Sequence, residues 1–165
     1  MKDDVDEFVV KMLDTFMEKH FRSVSDKDLD IATEEEKESF KKKAEEHVGL
    51  LTAIEKALDG FVKSVRLSNK LKNSPVCLTS DGPLSIEMEK VLNAMPTADG
   101  EAPKAERVLE INPDHPVFAS LSALPEGDAR IADYARLLYD QALLIEGLPI
   151  EDPVAFSNSV CALMK

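Results

Sequence analysis

Cysteine and histidine are scarce, 2 and 3 in 165 residues. Cys77 and Cys161 stand far apart, each in an apolar setting, which excludes a disulfide framework or a CxxC metal site and predicts two buried free thiols. His20, His47 and His115 fall on separate segments with no reason to converge. A glycine-rich phosphate loop, HExxH and a nucleophile elbow are missing too, so the common carriers of catalysis are not in the sequence. No apolar run approaches the ~20 residues of a membrane span, so no membrane partner is expected. Bases are outnumbered, 20 Lys and Arg against 32 Asp and Glu, for a formal charge of −12. Affinity for phosphates comes from excess cations, so no nucleic-acid partner is expected. The opening "MKDDVDEFVV" lacks the cationic start and apolar core of a signal peptide, and a cytoplasmic setting is expected.

What is present is a globular composition, 44% hydrophobic and 32% charged. The length suits one ordinary core, or a small domain with part of a neighbour. Apolar residues four apart, Phe8, Met12, Phe16 and Val9, Leu13, Met17, predict a short amphipathic helix, followed by a strand at "HFRSVS". One helix and one strand cannot bury a core alone, so this piece reads as the end of another domain. Acids concentrate in residues 25 to 38 as a solvated linker. Thr33 and Glu36 have capping-box spacing, and the helix they open carries Phe40, Ala44, His47/Val48, Leu51, Ile54 and Leu58. Gly49 is tolerated inside it at about 1 kcal/mol, and Gly60 is a plausible stop.

"FVKSVRLS" and "PVCLTS" read as strands expected to pair as a hairpin. Ser85 caps a helix over 84–95 with Leu84, Met88, Val91, Leu92 and Met95 on one stripe, opposed by Glu87, Glu89, Lys90 and Asn93. "PTADGEAPKAE" is a connection expected to be mobile, and "RVLEIN" is the third strand. In "NPDHP", adjacent Asp114 and His115 point different ways and have no poised nucleophile, so the knot is a corner in which Asn112 or Asp114 caps a turn. Pro116 opens a short helix, "VFASL".

Asp128 can cap the longest helix, "ARIADYARLLYDQALLIE", which Gly147 ends. One side carries Ile131, Tyr134/Ala135, Leu138, Ala142 and Ile145; another carries Leu137, Leu144 and the trailing Leu148. Asp152-Pro153 starts a final helix with Phe156, Val160, Leu163 and Val154, Cys161 as apolar positions. One three-stranded sheet cannot cover two such helices. The expected fold is therefore α+β, a three-stranded sheet with flanking helices and two C-terminal helices forming an intersubunit four-helix bundle. The alternative is a monomer whose helices cover the sheet.

"VRLSNKLKNSPVCL", "MEKVLNAM", "RVLEINPDHPVF", "LLYDQALLIEG" and "EDPVAFSNSV" resemble, in order and spacing, the C-terminal domain of the ninety-kilodalton heat-shock chaperones in their bacterial form. "DEFVVKMLDTF…FRSVSDKDLD" resembles the last helix and strand of that family's middle domain. The resemblance implies residues 1–31 as the end of the middle domain and 32–165 as a dimerization domain. It implies a homodimer with Leu137, Leu138, Leu144, Phe156, Val160 and Leu163 in the bundle or its underside. It also implies a client-contacting helix presenting Leu84, Met88, Val91 and Leu92 to unfolded or partly folded proteins. The ATP and Mg of the full-length family would lie outside this piece, which would have no cofactor or catalysis of its own. The ending "CALMK" lacks the acidic pentapeptide that recruits tetratricopeptide-repeat co-chaperones, so no such partner is expected. Two other classes compete: a small acidic enzyme using Asp114 and His115, and a monomeric adaptor docking its 84–95 helix in a partner's groove.

Overall fold

A computed structural model describes residues 9, 12, 13, 15–21, 34–94 and 104–163, the side chains of 34–37 excepted. Val9, Met12 and Leu13 are helical. Two short strands follow, β1 (Thr15–Phe16) and β2 (Lys19–His20), paired antiparallel. Phe16 and Met17 therefore belong to a hairpin, not to the expected helix. Met17 and Glu18 turn it with φ of 49° and 64°, the positive values that a two-residue hairpin turn requires. A short helix is marginal in water without a packed face, and Met12 and Leu13 are exposed here. Most of the expected 20–25 strand, the Thr33 cap and Met95 with 96–103 of the connection lie outside the described residues.

The expected helix from Thr33 to Gly60 is two helices, α1 (Glu34–Glu46) and α2 (Val48–Ala57). The break falls at His47, whose ring meets Phe118 edge-on at 4.9 Å. Gly49 just beyond it weakens the helix at that point. Ile54 and Leu58 are wholly buried, with Phe40, Ala44 and Leu51 packed at the margin of the core. Val48, expected on the apolar stripe, is exposed.

Three strands form the main sheet: β3 (Ser64–Leu67), β4 (Val76–Ser80) and β5 (Arg107–Ile111). Their order is β3-β5-β4, with β3 parallel and β4 antiparallel to β5. The expected β3–β4 hairpin is therefore incorrect, because β5 lies between them. Four consecutive residues of β5, Val108 to Ile111, are buried, whereas β3 and β4 alternate between buried and half-buried. A strand covered on both faces belongs in the centre, where both edges of its backbone are also paired.

On one face Val65, Leu67, Val76, Leu78, Leu109 and Ile111 join the core with α2 and α5 (Arg130–Ile145). On the other, Glu110 is only 5% exposed and accepts from Arg66 Nε (3.0 Å), Arg66 Nη2 (2.5 Å) and Thr79 Oγ1 (3.3 Å). Cys77 is half-buried at the same place, its thiol pushed up to about 12 by burial and by the Glu110 charge. Both cysteines are free, but neither is fully buried and Cys161 is exposed, against expectation.

The "NPDHP" knot is a corner. Asn112, 1% exposed, donates to the carbonyls of Lys72 and Ser74, while its Oδ1 accepts from the Asp114 amide at 3.0 Å. His115 Nδ1 accepts from the Val117 amide and caps α4 (Pro116–Ser122), with Pro116 in the first turn as expected. Asp114 turns outward to Lys43 at 2.7 Å. The two side chains that might have formed a reactive pair thus face different partners.

Candidate interaction face at the terminal helices

Helix α3 (Ile86–Ala94) begins as expected, the Met88 amide donating to Ser85 Oγ at 3.1 Å. It is rotated from the expected stripe. Ile86 and Glu89 are its buried residues, and Glu89, expected on the solvated side, reaches Arg107 at 2.7 Å and the Ala105 amide at 2.8 Å. A carboxylate so satisfied tolerates burial. Leu84, Met88, Val91 and Leu92 are each half-buried, Leu84 against the core.

Arg107 also donates to the Tyr139 hydroxyl at 2.8 Å, leaving its buried Nε without an acceptor. It borders a hollow of about 330 Å³ whose lining includes Gly60, Lys63, Tyr139 and Glu151. Lys63 there is held by Glu106 (2.5 Å) and Asp81 (3.5 Å). Among the described residues no group of His, Cys, Asp and Glu is placed to hold a metal ion, and no helix is long and apolar enough to cross a membrane.

Helix α5 carries the chain into its last turn. Asp128 accepts from the Arg130 amide just before the helix, and the adjacent guanidinium lowers its carboxyl to about 2. At the far end the Leu148 amide bonds the Leu143 carbonyl (2.8 Å) and the Gly147 amide bonds that of Leu144 (3.1 Å). With Gly147 at φ 69° this is a Schellman turn. It returns Leu148 to the core beside Leu143. Asp152 Oδ1 then accepts from the Val154 and Ala155 amides and opens α6 (Pro153–Leu163), as expected.

The six residues expected at the pairing interface divide. Leu137 and Leu138 are 6% and 2% exposed inside the single chain, a place on the underside of any bundle. Phe156 and Val160 are half-buried, while Leu144 and Leu163 are 53% and 52% exposed. Two further residues share this uncovered end: Ile145, expected on one apolar face with Leu138 and Ala142, and Val154. Leu148, just past the Schellman turn, lies in the core, whereas Ile145 at the end of the helix does not. Tyr139 and Leu143, absent from the expected stripes, are buried instead. Helix α6 buries no residue at all. Its Phe156, Val160 and Leu163 share one side by spacing, with Val154 and Cys161 on the opposite side.

The chain is thus an α+β core that ends in a helix pair with apolar residues left uncovered. Its relatives are known. A family model described as Hsp90 protein matches residues 1–165. The chain belongs to the Hsp90 family. It is 56% identical over 164 residues to a protein named Chaperone protein HtpG from Clostridium acetobutylicum, covering 99% of this chain and 26% of that one. A protein of the same name from Bacillus subtilis is 48% identical over 163 residues, with 98% and 26% covered. The chain thus spans about a quarter of the length of the curated relatives it matches.

Proposed function

We propose that this chain is the dimerization module of an Hsp90-type chaperone, in which α5 and α6 of two copies pair about a two-fold axis as a four-helix bundle. The observation that carries the reading is α6 itself, an eleven-residue helix with no buried residue, beside exposed Leu144 and Ile145. An isologous interface covers both rows at once, since each residue serves both subunits. On this reading Leu144, Phe156, Val160 and Leu163 form the seam, with Leu137 and Leu138 supporting it from beneath. Residues 1–31 are the end of a preceding domain and 32–165 the dimerization domain. The half-buried Leu84, Met88, Val91 and Leu92 of α3 are the contact for unfolded or partly folded clients, a use that suits methionine's adaptable side chain.

The reading assigns no catalysis to this piece and puts the ATP and magnesium of the family elsewhere in the full-length protein. The setting is cytoplasmic, without nucleic-acid or membrane partners. Sedimentation equilibrium from high nanomolar to tens of micromolar tests the core of the proposal. A mass near twice 18.2 kDa is expected. A monomer throughout would refute it and favour an adaptor docking α3 into another protein's groove.

A further inference from the structure

Resting on the dimer reading is a question it leaves open, namely what aims α6. A helix with no fully buried residue, its Phe156 and Val160 only half-buried, is not fixed in direction by core packing alone. Between Leu148, anchored in the core, and Asp152, the cap of α6, the chain has only Pro149, Ile150 and Glu151. One side chain reaches across this joint from α5. Arg136 lies with its guanidinium carbon 4.2 Å from the centre of the Phe61 ring and 5.8 Å from that of Tyr139. Its Nε is 3.3 Å from both carboxylate oxygens of Asp140, with a hydrogen bond to Oδ2 alone. Its Nη2 stands 3.7 Å from Glu151 Oε2.

An arginine serving only its own helix needs only the partner four residues on. Here the stack on Phe61 and the buried Asp140 hold the planar guanidinium in one orientation. Its Nη2 is thereby presented, already ordered, to the joint. A surface pair of this length contributes little by itself. Its value is directional, because a small error in the exit angle of α6 appears twice in a two-fold interface.

We propose that Arg136 is a positioning residue for subunit pairing, holding Glu151 so that α6 leaves α5 at the angle that brings the apolar rows of two copies into register. The test uses the whole chain and two readouts, the dimer constant by sedimentation equilibrium and amide hydrogen exchange at residues 148–156 compared with β5. Arg136→Leu is expected to weaken dimerization by about tenfold or more and to speed exchange at the joint while β5 stays protected. Arg136→Lys keeps the charge without the planar fork and is expected to rescue only in part. Glu151→Gln is expected to cost about two- to fivefold.

If Arg136→Leu fails to fold because Asp140 is left alone, the double variant with Asp140→Asn removes both charges together. Parent-like affinity and parent-like exchange at the joint in that variant would overturn the proposal. So would equal loosening of β5 and the joint, which marks a general structural role. Leu144→Glu run alongside separates the two failures. Its continued dimerization defeats the bundle reading, whereas its dissociation with insensitive Arg136 variants defeats only the positioning role.

Discussion

Leu144→Glu is the perturbation on which the pairing reading stands or falls. Leu144 is 53% exposed in the single chain, so about half its surface remains to be covered. With full burial of a leucine contributing roughly 1.5–3 kcal/mol, the uncovered half offers about 1–1.5 kcal/mol per copy and about 2–3 per dimer. Placing a carboxylate at each of the two symmetric positions adds at least about 2 kcal/mol of desolvation per copy. The sum, about 6 kcal/mol or more, is roughly a ten-thousandfold loss of affinity. Leu144→Ala, which removes only the burial, is expected to lose about ten- to a hundredfold. Neither change disturbs the folded monomer much, because surface substitutions usually alter stability by less than about 0.5 kcal/mol. Sedimentation equilibrium reads the affinity and circular dichroism the helix content. A Leu144→Glu chain that remains dimeric at the parent's concentrations, or loses its helices, would refute the reasoning.

Other positions separate core, client and charge effects. Leu138→Ala, at a residue 2% exposed, is expected to destabilise by about 2–5 kcal/mol; an unchanged urea midpoint under conditions where the chain is monomeric would place Leu138 outside the single-chain core. Leu92→Glu on α3 is expected to leave the dimer intact while reducing suppression of aggregation of a destabilised client by the full-length chaperone, and undiminished suppression would remove α3 from client contact. Burial raises the carboxyl of Asp140, with Arg136 opposing, and burial likewise raises Glu146. Acids raised in the folded state contribute stability that is present below their unfolded values and lost as pH rises through the folded ones. Asp140→Asn is therefore expected to flatten the decline in stability from acidic toward neutral pH, leaving the Glu146 part, and denaturant midpoints across that range check it. The lowered Asp128 acts in the opposite sense, its contribution being lost as pH falls from 3.8 toward about 2.

Local chemistry was legible wherever the signal and its partner lie within a turn of each other. Ser85 and Asp152 cap the helices they were expected to cap, and Gly147 ends α5. Asn112 holds the corner between β5 and α4 through its own turn. The residues of the three strands were legible too, since alternation marks a half-covered ribbon. For the proposed pairing face, Leu144 and the apolar positions of α6 were visible as a surplus that one sheet could not cover.

Tertiary structure alone decided the rest. Alternation does not name a strand's neighbour, and β5 took the centre because it is buried on both faces, splitting the expected hairpin. Glu89 reads as polar until Arg107, 18 residues away, gives its charge a buried partner. At the break between α1 and α2, His47 meets the ring of Phe118 from another part of the chain, and Ile145 is exposed while Leu148, past the turn, is in the core. Amino-acid sequence by itself determined which residues seek burial and where helices start and stop, since both follow from side-chain chemistry and backbone geometry over a few residues. Only long-range packing decided which of those residues bury one another and which remain uncovered at the chain's last two helices.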